Sequence, residues 1–278
     1  MKAVEQSPQP LRLAGMALCN GLLIHGPTHW SAAARTVDGE LKTASGRKPR
    51  FALRSTHVPG LRGLVRLAEA LAVLPIVKRN FPEAQLPFEE PRLGAAMATT
   101  SAISTIVRKS IPYSGRRELT LGAVGLAPAI FALRGSDLAA YHGAEHKAIG
   151  AYERGLADAA DATKEHERCG SNLVVPMLVA SLVGNLLLRT VVKRPGQIAQ
   201  LVASLVGTGA AIELFIWAER HPDSRFTTAI RWPGFEIQRH FVTREPTDEQ
   251  LDVSRAALAE ILRAEEPKPM VQEARDKR

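Results

Sequence analysis

Tyr141-His142-Gly143-Ala144-Glu145-His146 is answered about twenty residues later by His166-Glu167-Arg168-Cys169-Gly170. His142, His146, His166 and Cys169 place four soft-metal ligands in one short segment of a chain with eight histidines and two cysteines. On a helix, histidines at i and i+4 stand about 5–6 Å apart at Cβ, close enough for their imidazoles to share one tetrahedral ion. His142-x-x-Glu145-His146 also has the form of the inverted zincin motif, in which the glutamate acts as general base on a metal-bound water. His166-x-x-Cys169 has a common ligand spacing, and Gly170 lets the backbone come close. The ion expected from these donors is a divalent metal, zinc first. Two metal readings follow: a closed His/His/His/Cys structural site, or an open catalytic one, since a fourth protein ligand would exclude the water. Against both stands a bland alternative, hydrogen-bonded core histidines with Cys169 as a small buried hydrophobe.

The element that must position these groups is a helix. Ser136-Asp137 offers an N-cap after Gly135, Gly155 offers a C-terminal stop, and no proline intervenes. At 100° per residue, Leu138, His142, Glu145, His146, Ile149, Tyr152 and Glu153 share an arc of roughly 120°, while Ala140, Gly143 and Lys147 point away. Glu153 on that face, Tyr141 at the head of the motif and Glu213 in a later apolar run are additional site candidates.

The 278 residues suffice for one large domain or two small ones. Apolar residues make up 45% of the chain but concentrate between 119 and 218. A net charge of +8 suits nucleic acid or an anionic lipid surface. With 5% aromatics and no helix-turn-helix, zinc-finger or RNP signature, nucleic acid is not expected; membrane lipids with anionic head groups are. Cys19 and Cys169 lie 150 residues apart and form no disulfide framework, which leaves Cys169 as a thiolate ligand.

Along the chain, residues 1–14 read as a flexible N-terminus without a signal peptide. Residues 15–58 read as a small antiparallel β unit: a strand from Gly15 to Ile24, another from Ser31 to Val37, an Asp38-Gly39 turn into Leu41, and a strand at Arg50 to Ser55. Residues 59–109 read as amphipathic helices and a linker. Leu61 to Val77 carries an apolar stripe of Leu64, Leu67, Ala68, Leu71 and Leu74 that suits either a soluble core or a membrane surface. A second helix is expected at Ala95 to Val107.

Residues 110–220 read as a membrane-embedded helical region carrying the His/Glu/Cys site. Leu119 to Leu133 is an uncharged run of 15, Asn172 to Leu188 one of 17, and Ile198 to Ala218 one of 21 with Glu213 as its single charge. About 20 residues cross a bilayer, so the last two predict a transmembrane hairpin, with a buried helical pair as the soluble alternative. Glu213 within a span marks a functional site or an internal partner, unless it snorkels from near the helix end. Residues 221–264 predict a strand, Phe235 to Thr243, and a helix started by the Thr247-x-x-Gln250 capping box; 265–278 read as a disordered tail.

These residues together resemble the YqhQ family, bacterial multi-pass membrane proteins with a domain of unknown function that are described as predicted metal-dependent enzymes. The resemblance runs from about Gly15 to Leu262. Its carriers are Gly21 to Pro27 with Asp38-Gly39-Glu40, Tyr141 to Glu153, His166 to Gly170, and Pro233-Gly234 through Thr243-x-Glu245-Pro246 to Gln250. It implies residence in the cell membrane and points to His142, Glu145, His146, His166 and Cys169. Three positions depart from the family pattern: Asn20 stands where a glutamate is usual, His25 where an arginine is, and Glu167 where a proline is. The fold expected is thus an α+β membrane protein with a small N-terminal antiparallel β unit, a helical transmembrane core and a C-terminal strand plus helix. Its role is either a non-catalytic scaffold or lipid-binding protein, or a membrane-embedded metal-dependent hydrolase with Glu145 as general base.

Overall fold

Short runs rich in Ala, Leu and Ile between Gly and Asn turn residues build a four-stranded antiparallel meander, β1 (Ala14–Leu18), β2 (Gly21–His25), β3 (His29–Arg35) and β4 (Leu41–Arg47), paired in sequence order. The computed structural model describes residues 10–49, 58–112, 114–192 and 195–266. The strand expected at Arg50 to Ser55 and most of the expected tail lie outside them.

The run from Gly15 to Ile24 is not one strand. It folds back at Cys19-Asn20, pairing Leu18 with Gly21 and Ala14 with His25. Asn20 explains the break: its Nδ2 donates to Arg35 O at 3.0 Å and Glu83 O at 2.9 Å, and its Oδ1 accepts from Gln85 N at 3.0 Å. An amide side chain that serves three backbone groups competes with a continuous ladder and wins. The Asp38-Gly39 turn stands as expected, with Gly39 at φ 83°.

Both faces of the sheet are covered, so alternation along the strands sorts residues between two cores rather than between core and water. Leu22, Ile24 and Ala33 pack against α4 (Asp137–Arg154) and α8 (Asp248–Glu265). Leu18, Leu23, Trp30, Ala32 and Ala34 face α1 (Leu61–Asn80), chiefly Val73 and Val77, with Phe81 and Leu86 beyond it. Each such fully buried Leu or Ile contributes about 1.5–3 kcal/mol. Only the C-terminal half of α1 reaches this core; Leu67 and Leu71 of its expected stripe are about half exposed.

The remaining helices form an apolar bundle beside this sandwich. α2 (Pro91–Ser110) starts on a proline at its first helical position and packs along α3 (Gly115–Leu133). α5 (Val174–Val191) folds back onto α6 (Gln197–Arg220). The segments Gly170–Val191 and Ile198–Arg220 are long and apolar enough to cross a membrane, yet only 11% and 17% of their most apolar windows are buried within the protein. Val179, Val183, Leu187, Val202, Leu205 and Val206 all face outward. Among the described residues, then, little of the chain buries this pair.

One expected element is overturned. Phe235 to Thr243 is not a strand: α7 (Arg225–Ile237) continues into a π-helical turn, Gln238–Val242. The buried residues of this stretch, Thr227, Arg231, Gly234, Gln238 and Val242, recur every three or four positions. The helical period is there, but it is carried mostly by polar residues, and hydrophobicity alone misses it. The C-terminal unit is thus helix plus helix. α8 begins as expected, with Thr247 and Gln250 closing a reciprocal capping box.

Candidate metal centre

α4 presents the first half of the site with the caps expected of it. Ser136 accepts from Ala139 N, and Gly155 ends the helix in the left-handed region at φ 65°. Its carriers His142, Glu145 and His146 lie where two other segments close over the helix. From one side the loop after α4 returns to bring in Cys169; from the other, residues 243–246 cross α4 at Gly143. A Cβ at Gly143 would strike the Arg244 carbonyl, and Arg244 N donates to Ala139 O at 2.9 Å. Only glycine permits that approach.

These crossings fix the imidazoles. His142 Nδ1 donates to Val242 O at 2.9 Å and His146 Nδ1 donates to Lys164 O at 2.6 Å. A carbonyl can only accept, so in each neutral ring Nδ1 carries the proton and Nε2 keeps its lone pair free for a metal. Backbone carbonyls behind ligand histidines are the usual way a metal site sets ring orientation and tautomer. His142 Nε2 lies 3.4 Å from Cys169 Sγ, the two histidine rings are 4.4 Å apart at their centroids, and one ligand atom from each of His142, His146 and Cys169 lies within 4.8 Å of the others. An ion with arms of about 2.0–2.3 Å fits among donors this close, and two imidazoles with one thiolate suit zinc.

Glu145 sits beside the group, its Oε2 4.0 Å from His142 Nε2. It is buried, and desolvation raises its pKa against the opposing pull of His142 and His166. β1 runs directly over it: a side chain at Gly15 would overlap the Glu145 carboxyl. Burial lowers the pKa of His146 despite its contact with Cys169, which keeps the ring in the neutral form a metal binds.

The other candidates lie elsewhere. His166 Nδ1 accepts from Arg168 N at 3.3 Å, so its Nε2 carries the proton and donates to Glu153 Oε2 at 3.2 Å. The ring stands 5.6 Å from His146, behind the donor group rather than in it. Glu153 is shared between His166 and Arg168. Glu213 accepts from Gly60 N at 2.9 Å and pairs with Arg62, tying α6 to the start of α1. Tyr141 is packed in the core under the sheet with Leu13 and Ala17. Of the three departures from the family pattern, Asn20 holds its turn, Glu167 pairs with Arg231 at 3.1 Å, and His25 is buried with no partner for Nδ1 among the described residues.

Sequence reasoning did not single out Gln238. It is fully buried, accepts from His166 N at 2.7 Å and donates to Ser171 Oγ at 2.8 Å, so it holds the loop that carries Cys169. Its sequence neighbours Glu236, Arg239 and His240 are polar too, so its type gave no advance signal.

Two cavities meet at the donor group. One, of about 660 Å³, is mainly apolar and runs between α2 and α3 past Leu93, Met97 and Leu126. The other, of about 610 Å³, is more polar and is lined by Lys48, Arg66 and Arg168. Gly15, Met16, His142, Glu145, Cys169 and Gly170 border both.

The family described as protein of unknown function (DUF1385) matches residues 136–264, which hold the whole donor group. The chain is 24% identical over 310 residues to a Bacillus subtilis (strain 168) protein carrying the description Uncharacterized protein YqhQ, an alignment that spans 92% of this chain and 94% of that one. No solved structure matches.

Proposed function

Starting from a chain that is YqhQ-like, we propose that it is a membrane-anchored hydrolase holding one divalent metal ion, zinc by donor chemistry, on His142, His146 and Cys169. The observation that supports this reading is that, among the described residues, three side chains converge, with a buried carboxyl alongside and cavities reaching the group from two sides. Catalytic zinc sites keep such an open position, whereas structural ones close it with a fourth ligand. A bound ion supplies Lewis acidity toward a water or a carbonyl or phosphoryl oxygen. Glu145 is placed to exchange a proton with a group seated between His142 and Cys169, and its burial raises its pKa above the usual carboxylate value. Val242 O and Lys164 O hold the two imidazoles, and Gln238 holds the Cys169 loop. α5 and α6 cross the cell membrane as a hairpin, with the donor group near the ends at Gly170 and Arg220, and anionic head groups attract the surplus positive charge.

The second reading, a metal that only ties α4 to the 155–172 loop, draws on the burial of Cys169 and His146. Metal analysis and thermal melts on detergent-solubilised, untagged protein separate the two. The hydrolase reading expects about one zinc per chain, retained in Glu145→Gln and lost in His146→Ala with little change in melting. A structural zinc contributes ~10 kcal/mol or more, so a tie predicts collapse of His142→Ala, His146→Ala and Cys169→Ala, with Glu145→Gln indistinguishable from wild type in every assay. Less than about 0.2 equivalents of transition metal in wild type would remove both readings.

A further inference from the structure

The two cavities at the donor group differ in chemistry, and Glu145 lies on the boundary between them. On one side is a slot of about 660 Å³ walled by α2 and α3, large enough for an alkyl chain and lined almost wholly by hydrocarbon. On the other is a polar chamber of about 610 Å³ whose lining includes Arg12, Lys48, Arg66 and Arg168 against the carboxylates of Glu69 and Glu219 outside the donor group. Four cations therefore line the polar side, with Arg168 also paired to Glu153 and Arg12 to Glu219. A purely apolar ligand would leave the chamber unused, and a small polar ligand would leave the slot unused.

We infer that the site takes a membrane amphiphile with an anionic headgroup: its chain in the α2–α3 slot, its headgroup in the Lys48–Arg66 chamber, and the junction between them beside Glu145. The inference rests on the site proposed above and names its substrate class. The slot belongs to the same apolar bundle as α5 and α6, since α3 packs on α5, so a chain enters it without crossing water. Gly125 borders the slot, and no atom lies within 4 Å of where its Cβ would stand, so a side chain added there projects into open space. Met97 borders it too and is more than half exposed, so it tolerates replacement.

The test is photo-crosslinking of the full-length protein in phosphatidylcholine nanodiscs. The discs are doped with phosphatidic acid or with phosphatidylcholine carrying a diazirine at the chain end, and labelled peptides are mapped by mass spectrometry. The phosphatidic acid probe should label the α2–α3 slot, residues 93–97 or 125–133, at least fivefold more than the phosphatidylcholine probe does. Gly125→Trp, and Met97→Trp should the first fail to fold, should lower that labelling at least fivefold at unchanged melting temperature. Arg66→Glu should erase the preference between the two probes. Labelling confined to the outward faces of α5 and α6, or insensitive to both tryptophans, overturns the inference; so does a slot that takes no probe because a chain segment or a second copy fills it. Neither metal nor turnover is needed for the readout. Slot labelling without bound metal leaves the lipid standing and removes the hydrolase; metal without slot labelling does the reverse.

Discussion

Glycine and histidine decide the site at the scale of single residues. Gly15 is the only residue type that lets β1 lie over the Glu145 carboxyl, so Gly15→Ala should displace that side chain. The expected outcome is a loss of about 1–3 kcal/mol in chemical denaturation, of the size overpacking causes, with metal content retained because the three donors are untouched. His25, within the same polar cavity, is held down to about 4 by burial and by the nearby Lys48 cation. Its folded pKa lies below the unfolded value near 6.5, so the fold favours the neutral ring. That stability is fully present above pH 6.5 and is lost as pH falls toward 4, up to about 3 kcal/mol. His146 and His166, also held neutral by burial, add in the same direction. His25→Phe should flatten the fall in melting temperature between pH 7 and 5 relative to wild type in metal-free protein; an unchanged slope would show that His25 does not titrate with folding. The grouping of His142, His146 and Cys169, with Glu145 beside them, was legible from type and spacing. His166, expected among them from its spacing, stands 5.6 Å from His146 at the ring centroids and is engaged by Glu153 and the Arg168 amide. The carbonyls of Val242 and Lys164 could not be read at all, since every residue has one.

Elements were legible where local rules and tertiary demands agree. α4 and α8 carry their own caps and appear between them. The apolar runs became α3, α5 and α6 because hydrogen-bonding all backbone groups within one segment leaves a helix as the simplest solution. The β unit was legible as a sheet but not in its turns, since the Asn20 break depends on partners at Arg35, Glu83 and Gln85. The stretch after Pro233 failed for a different reason: its inward face is polar, chosen to satisfy the 166–172 loop rather than to fill a hydrocarbon core. Gln238 tests that account. Gln238→Leu should leave His166 N–H and Ser171 without a partner at a cost of about 1–3 kcal/mol, and should lower metal affinity by loosening the loop that carries Cys169. Metal titration of the variant against a surface control such as Arg225→Gln checks it; equal affinities would mean that the loop is held by other contacts.

For the whole molecule, a two-sided sandwich is joined to a bundle whose apolar surface no other described residue covers. If α5 and α6 span a bilayer, the protein should stay with membranes through carbonate and high-salt washes; release by salt alone would assign the attachment to the positive surface instead. The bond between His142 Nδ1 and Val242 O joins residues 100 positions apart, and both helices of the α5–α6 hairpin lie between them in the chain. During synthesis His142 emerges long before its orienting carbonyl does. Its ring cannot be set until α5, α6 and α7 have been made, so the grouping of His142, His146 and Cys169 waits on the folding of a long stretch of chain that follows it.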